Sequence, residues 1–152
     1  MTDTKEAERF AGTWTLDECY SDKPSGRENL PLGKHVLGRI NYDRDGHMAA
    51  QLMGDERTPF SSRDPREVTD SEYRAAFQTY TAYFGSYEIN TEHNTVTHHV
   101  EGATVPNWPG MDQVRYYEFE QPDKLILRTP PMRGNDGEKA VHTLIWRRVT
   151  PG

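Results

Sequence analysis

Short runs in which apolar and polar residues alternate recur along most of this chain, separated by clusters of Pro, Gly, Asn and Asp. A period of two is typical of strands with one buried face. We predict strands at about 10–21, 36–42, 47–53, 86–91, 95–101, 113–120, 124–129 and 140–149. Most connections are short enough for hairpins, and the Asp-Gly pair in Asp43-Arg44-Asp45-Gly46 suits a tight turn. Eight such strands favour an antiparallel barrel, which leaves no exposed sheet edge.

One segment carries a helical period instead. Thr69 and Glu72 have the spacing of a capping box, and Gly85 stands where a helix could end. We therefore predict a helix over 70–84. Its aromatic residues form a single stripe that we expect to pack on the sheet: Tyr73, Phe77, Tyr80 and Phe84.

Two loops and the face of the first strand complete the predicted organisation. Residues 21–35 and 54–68 are rich in Pro, Gly and charge, so we expect surface loops there. Residues 1–9 are expected to form a flexible or briefly helical lead-in to a single domain over 10–150. Strict alternation places four residues of the first strand on one face, namely Trp14, Leu16, Glu18 and Tyr20.

Composition narrows the classes of partner. The formal net charge is −6 and no basic block occurs, which argues against nucleic acid or an anionic membrane as partner. The single cysteine, Cys19, rules out an intramolecular disulfide. With neither an apolar leader nor a run of ~20 apolar residues, we expect a soluble, cytoplasmic protein. A homodimer is compatible with these features.

The interior has an unusual composition. Hydrophobic residues make up only 34% of the chain, yet it contains 8 Tyr, 5 Phe and 3 Trp. Walls that need both apolar surface and hydroxyl groups are typical of ligand pockets, so this balance suits a hollow interior. Ordinary enrichment of tyrosine in β-sheets explains the composition equally well.

Several motifs resemble a known family. Gly12-Thr13-Trp14 is similar to the Gly-x-Trp signature of lipocalins, in which the Trp packs under an Arg of the last strand. Arg147 or Arg148 would take that role here, because a guanidinium is attracted to an indole face. GRINYDRDGHMAAQLM, YTAYFGSYEI, VTHHVEG, PNWPG, QVR and LRTPP resemble, in order, the bacterial and fungal lipocalin-like domain family.

This resemblance covers roughly residues 10–149 and implies the fold. We expect an all-β protein: an eight-stranded antiparallel lipocalin-like β-barrel with one inserted helix and an internal cavity. Members of the family often occur among secondary-metabolism enzymes, but the fold alone does not define a function. The family motif falls on His98, Pro106, Asn107, Trp108, Gly110, Gln113 and Arg115.

The adjacent histidines must point to opposite faces of their strand. His98 shares its face with Val96 and Val100, whereas His99 shares its face with Thr97 and Glu101. We favour His98 as the inward residue, where desolvation would lower its pKa and keep the imidazole neutral for general-base work. The alternatives are an inward pair of His99 and Glu101, or a purely structural histidine. Opposite faces also argue against a shared metal ion, and we expect no metal.

The strand that follows supplies a cation. Gln113 and Arg115 share a face with Tyr117 and Phe119, and an inward guanidinium could bind a carboxylate, enolate or carbonyl oxygen. An internal salt bridge to Glu18 or Glu88 is the alternative role for Arg115. Three tyrosines are further candidates for binding the ligand, namely Tyr42, Tyr83 and Tyr87.

Trp108 lies in a Pro-flanked loop and could either cap the barrel mouth over a ligand or plug the loop onto the rim. The remaining histidines are scattered without ligand spacing, and Cys19 fits a buried, inert thiol. Nucleotide-binding and serine-hydrolase motifs do not occur, so we expect no cofactor.

Three functions are consistent with these residues. The first is a cofactor-independent isomerase, cyclase or lyase acting on a largely apolar carbonyl metabolite. In that scheme His98 and Arg115 are catalytic, and Tyr42, Tyr83, Tyr87, His99, Trp108 and Gln113 bind the ligand. The second is a carrier or sensor of a small hydrophobic ligand that uses the same cavity without turnover. The third is an interaction module whose barrel is filled.

Overall fold

The computed structural model describes residues 4–134 and 136–150. Its elements are α1 (Thr4–Phe10), β1 (Gly12–Lys23), β2 (Gly26–Glu28), β3 (Val36–Tyr42), β4 (His47–Gly54), α2 (Asp70–Gln78), β5 (Tyr80–Asn90), β6 (Thr95–Ala103), β7 (Asp112–Gln121), β8 (Lys124–Arg128), β9 (Met132–Arg133) and β10 (Lys139–Arg148).

Eight long strands form a closed barrel. The pairing runs β1-β3-β4-β5-β6-β7-β8-β10, and β10 pairs back onto β1, so the sheet closes on itself. Every pairing is antiparallel, and the short strands β2 and β9 extend β1 and β10 at one end. The predicted eight-stranded antiparallel barrel is therefore confirmed. Asp43–Gly46 forms the expected hairpin turn, with Gly46 at φ +93° and the Asp43 carboxylate accepting two backbone N–H bonds.

One end of the barrel is packed solid with aromatic rings. The lead-in, which the sequence predicts to be flexible or briefly helical, forms α1 from Thr4 onward. Phe10 at the end of α1 is fully buried in the floor of the barrel. The Phe10 ring meets Tyr42, Tyr117 and Phe119 edge to face, with centroids 4.9–5.3 Å apart. Edge-to-face packing is the favoured geometry of aromatic pairs, so this end contributes strongly to stability. Residues 1–3 lie outside the described part of the chain.

Trp14 and Arg148 seal the same end. The Arg148 guanidinium lies 4.3 Å from the centre of the Trp14 ring, and the Trp14 indole N–H donates to the Phe10 carbonyl at 2.8 Å. Of the two candidate arginines, the register of β1 and β10 selects Arg148, since Arg147 points outward and pairs with Asp17.

The predicted helix is too long. The capping box of Thr69 and Glu72 forms as expected, but α2 ends at Gln78, and the following residues belong to β5. Gly85 consequently lies inside a strand and does not end a helix. The β-branched and aromatic residues after Gln78 favour a strand, and pairing with both β4 and β6 outweighs the weak helical period.

The aromatic stripe therefore does not pack as expected. Tyr73 and Phe77 are 45% and 52% exposed, and no residue of α2 is buried. Tyr80 and Phe84 lie on β5, where Phe84 faces outward. The helix is held mainly by its cap and its loop, since the Glu72 carboxylate accepts from the backbone of Thr69 and of Ser61.

Strict alternation also fails in β1. The pairing with β10 shifts between Leu16 and Glu18, which is a β-bulge. Beyond the bulge Ser21 is buried and Glu18 is exposed, so Glu18 does not share the inward face of Trp14. The predicted loop 21–35 is likewise shorter, because β1 continues to Lys23 and β2 forms a hairpin with it.

Candidate functional site

The end opposite the aromatic floor is hollow. A cavity of about 500 Å³ lies among the inward side chains of the upper half of the barrel. Half of its lining residues are aliphatic side chains or methionines, including Leu30, Pro31 and Leu32 of the loop after β2. Volume and lining are typical of small-molecule pockets. The other ten lining residues are polar or aromatic, namely Gln78, Thr81, Tyr83, His98, Trp108, Gln113, Arg115, Thr129, His142 and Trp146.

His98 lies at the inner end of this cavity and is 1% exposed. The alternation of β6 points its ring inward beside Val96 and Val100, as expected from the sequence. Nε2 of His98 lies 2.7 Å from the hydroxyl of Tyr42, and Nδ1 lies 2.7 Å from the hydroxyl of Tyr83. Both ring nitrogens are therefore occupied by phenol groups.

The electrostatic surroundings keep His98 uncharged. Burial, with smaller contributions from Arg115 and His99, lowers the pKa of His98 to about 3. Burial likewise raises the pKa values of Tyr42 and Tyr83 above their usual range. At neutral pH the three groups form a hydrogen-bonded chain without net charge, in keeping with the desolvation expected for an inward His98.

His99 lies outside the barrel. Its Nδ1 is 2.7 Å from the carboxylate of Asp112, and its Nε2 is 3.6 Å from that of Glu88. The hydrogen bond with Asp112 is the main cause of its raised pKa. The expectation that His99 binds a ligand in the cavity is thus wrong, because the strand turns its ring to solvent when His98 points inward.

Arg115 is the cation of the cavity. Its guanidinium donates to the Val114 carbonyl at 2.9 Å and to Oε1 of Gln113 at 3.3 Å. In residues 4–134 and 136–150 no carboxylate lies within 4 Å of it. The proposed salt bridge to Glu18 or Glu88 is absent there, since Glu18 points outward beyond the bulge and Glu88 faces His99.

Trp108 borders the cavity from the loop between β6 and β7. Its ring meets Tyr83 edge to face at 5.8 Å, and backbone bonds to Val105 and Met111 fold the loop back over the rim. Gly110, at φ +88°, donates to the Val100 carbonyl at 2.8 Å and completes the turn. Trp108 thus borders the cavity from this loop, a position compatible with either role.

Two of the three candidate tyrosines lie beneath the cavity rather than in its wall. Tyr42 is 2% exposed and reaches the site only through His98. Tyr87 donates its hydroxyl to the Asp43 carbonyl at 2.6 Å, which fixes it to the hairpin at the floor. Of the three, Tyr83 alone borders the cavity. A direct contact of Tyr42 or Tyr87 with a ligand is therefore not supported.

Two groups on β10 were not predicted from the sequence. His142 and Trp146 border the cavity, and His142 Nδ1 and Trp146 Nε1 are buried without a hydrogen-bond partner in the described part of the chain. Burial, with Arg115, lowers the pKa of His142. The signal was present, because His142, Leu144 and Trp146 alternate along one face, and Trp146 marks that face as inward.

The described residues contain no cluster of three or more His, Cys, Asp or Glu placed to hold a metal ion. Burial raises the pKa of the Cys19 thiol, in keeping with an unreactive group. Among the described helices, none is long and apolar enough to cross a membrane.

Solved structures that are similar to this chain include one designed protein and one natural protein. The chain is similar to a de novo designed fluorescence-activating β-barrel, with 15% identity over 98% of this chain and 100% of that one and a TM-score of 0.43. It is also similar to bovine odorant-binding protein in complex with a selenium-containing odorant, with 11% identity over 96% and 74% of the two chains and a TM-score of 0.48. No curated protein matches the sequence. Residues 11–149 match the family described as a lipocalin-like domain, and the barrel has the closure and the Trp14–Arg148 seal that the motifs imply. The chain belongs to the lipocalin-like domain family.

Proposed function

We propose that this barrel binds a small, largely apolar molecule and holds a carboxylate or carbonyl oxygen of that molecule with Arg115. The observation that carries the proposal is the guanidinium of Arg115, which borders an apolar cavity of about 500 Å³ with no carboxylate within 4 Å in residues 4–134 and 136–150. A permanent cation in an apolar site is costly unless an oxygen acceptor partners it. The Val114 carbonyl and Oε1 of Gln113 are neutral acceptors that do not balance the charge of Arg115, and a ligand oxygen supplies a further acceptor.

The aliphatic walls determine the rest of the ligand. Leu52, Leu127 and Leu144 surround the cavity, so most of the ligand surface must be apolar. Gln113 holds the guanidinium at 3.3 Å and so reduces its freedom before a ligand arrives. Such preorganisation lowers the entropic cost of binding.

Two fluorescent probes of similar shape test this proposal. Anilinonaphthalene sulfonate carries an anion, and its uncharged parent phenylnaphthylamine does not. Replacing Arg115→Met keeps the length of the side chain and removes the charge. We expect about 10- to 100-fold weaker binding of the sulfonate, the loss typical of a charge-assisted hydrogen bond, and little change for the uncharged probe.

A matched control uses an arginine outside the cavity. Arg128 pairs with Glu118 on the outer surface at 3.2 Å, so Arg128→Met should leave both affinities unchanged. Equal affinity of the sulfonate for the wild type and the Arg115→Met variant would contradict the proposal. So would a failure of both probes to bind the wild-type protein.

A second candidate, cofactor-independent acid–base catalysis on a carbonyl compound, is favoured by the chain of Tyr42, His98 and Tyr83 that ends at the cavity. Because both nitrogens of His98 are occupied, Tyr83 meets the substrate and donates to its carbonyl oxygen, with His98 positioning the hydroxyl. In this scheme the α-proton passes to Nδ1 of His142, which borders the cavity and has no hydrogen-bond partner among the described residues, and leaves an enolate. Arg115 then stabilises negative charge that develops on the carbonyl oxygen. This chemistry fits isomerisation, cyclisation or elimination.

Proton exchange separates an enzyme from a carrier. An enzyme of this kind should accelerate the exchange of the α-protons of a simple apolar ketone, phenylacetone, with deuterated water, as followed by NMR. The Tyr83→Phe variant should lose the acceleration even at a phenylacetone concentration that saturates the variant. Binding without accelerated exchange in the wild type would favour the carrier or sensor.

A further inference from the structure

The hydrogen-bonded chain from the floor to the cavity has a direction that can be derived from its donors and acceptors. A neutral imidazole has one N–H donor and one acceptor nitrogen. Both nitrogens of His98 face a phenol at 2.7 Å, so one tyrosine must donate to His98 and the other must accept from it. The surroundings of each tyrosine decide which one donates to His98 and which one accepts from it.

Tyr42 is the donor of this pair. Its hydroxyl is buried at the aromatic floor, and within the described part of the chain Nε2 of His98 is the acceptor in reach. In the unfolded chain this hydroxyl donates to water. If it were buried without an acceptor, that hydrogen bond would be lost and the folded state would be destabilised. Tyr42 therefore donates to Nε2, and the ring proton of His98 resides on Nδ1.

The consequence appears at the cavity. Nδ1–H donates to the Tyr83 oxygen, so the hydroxyl proton of Tyr83 cannot point back at His98. Tyr83 borders the cavity. We infer that Tyr42, acting through His98 as positioning residue, turns the Tyr83 hydroxyl proton into the cavity, where Tyr83 donates a hydrogen bond to an acceptor oxygen of the ligand.

The other polar groups of the cavity support the same ligand chemistry. Arg115 carries donors only, and Trp146 Nε1–H is buried without a partner in the described residues. Oε1 of Gln113 is engaged by Arg115, which leaves its amide donors. His142 is an exception, because its unpartnered Nδ1 can donate or accept according to its tautomer. The other exceptions are side chains that carry both donors and acceptors, namely Gln78, Thr81 and Thr129. Given the proposed ligand binding, the cavity selects molecules with acceptor oxygens over molecules with N–H or O–H donors.

The tautomer of His98 can be measured without any ligand. Nitrogen-15 NMR distinguishes a protonated ring nitrogen from an acceptor nitrogen, and we expect Nδ1 to carry the proton in the wild type. In the Tyr42→Phe variant, Nε2 should move toward the shift of a free acceptor nitrogen, because its donor is gone. A proton on Nε2 in the wild type would overturn the inference.

Two rigid tricyclic probes of nearly equal shape test the ligand class. Fluorenone offers only an acceptor oxygen, and carbazole offers only an N–H donor. Displacement of phenylnaphthylamine should show fluorenone binding about tenfold more tightly than carbazole, the ratio expected for one hydrogen bond, and Tyr83→Phe should bring that ratio close to one.

Tyr116 provides the matched control, because it is 48% exposed, so Tyr116→Phe should keep the ratio of the wild type. Tighter binding of carbazole, or an unchanged ratio in the Tyr83→Phe variant, contradicts the inference. If neither probe binds, the proposed function fails. The tautomer measurement still decides which tyrosine donates to His98 and which one accepts from it.

Discussion

The guanidinium of Arg148 lies 4.3 Å from the centre of the Trp14 ring and donates to the carbonyl oxygens of Ala11 and Arg9 at 2.5 and 2.6 Å. One side chain thus covers the aromatic floor and satisfies two backbone acceptors at the junction of α1 and β1. This contact closes the barrel at the end away from the cavity. Its role is consequently structural, and it can be tested apart from binding.

Replacing Arg148→Met should lower the free energy of unfolding by about 1–3 kcal/mol, because a cation–π contact, two hydrogen bonds and an ion pair with Asp123 are lost together. Urea denaturation measures the change. Arg147→Met is the control, since its ion pair with Asp17 is half-exposed and should contribute less than about 1 kcal/mol. Equal effects of the two substitutions would show that the floor does not depend on Arg148.

The neighbouring histidines should titrate far apart. Burial lowers the pKa of His98 to about 3, whereas the carboxylate of Asp112 raises the pKa of His99. NMR titration should therefore show His99 gaining its proton above its usual range and His98 remaining neutral down to about pH 4.5. Asp112→Asn should lower the pKa of His99 and leave that of His98 unchanged. A His98 that titrates near its usual pKa of about 6.5 would place its ring in contact with water.

The same burial makes stability depend on pH. His98 stays neutral in the folded state, while in the unfolded chain it binds a proton below about pH 6.5, so protonation favours unfolding as the pH falls from about 6.5 toward 3. Between about pH 7 and pH 5 the wild type should lose about 2 kcal/mol more than the His98→Gln variant. Urea denaturation at the two pH values gives this difference directly. An equal loss in both proteins would contradict the burial of an uncharged His98.

Gly85 should tolerate no side chain. A Cβ at this position would overlap the backbone carbonyl of His99 on β6. Gly85 cannot move away, because its strand β5 is paired with both β4 and β6. Gly85→Ala should destabilise the fold by about 1–3 kcal/mol or more, as overpacking does. At Gly102 the three atoms nearest to an added Cβ all belong to the ring of Phe84, which is 57% exposed and can shift toward solvent. Gly102→Ala should therefore cost clearly less, and thermal unfolding of the two variants tests the order.

Trp108 should control how quickly a ligand leaves. It borders the cavity from the loop over the mouth and contacts Tyr83, so Trp108→Ala opens the rim without changing Arg115. We expect anilinonaphthalene sulfonate to dissociate about tenfold faster, since effects on affinity act mostly through the dissociation rate. Phe77→Ala, which removes an exposed aromatic ring that does not border the cavity, should leave the rate unchanged. Equal rates in all three proteins would assign Trp108 to the rim alone.

Features that depend on neighbouring residues could be predicted from the order of residues alone. Alternation identified the strands and pointed His98 inward beside Val96 and Val100, because a strand reverses its face at every residue. The hairpin at Gly46 and the cap at Thr69 were likewise predictable, since their hydrogen bonds close within a few residues.

Features that depend on distant partners are visible only in the folded chain. β5 begins at Tyr80 because β4 and β6 pair with it, which no local period can indicate. The contact of His98 with Tyr42 spans 56 positions of the sequence, and it makes the inward imidazole the centre of a buried row of hydrogen bonds. Two distant features keep carboxylates away from Arg115. The bulge in β1 turns Glu18 outward, and Glu88 on β5 faces His99 on the outer surface. The start of β5, the partners of His98 and the surroundings of Arg115 are therefore determined by burial and strand pairing between distant segments. The local sequence pattern does not specify them.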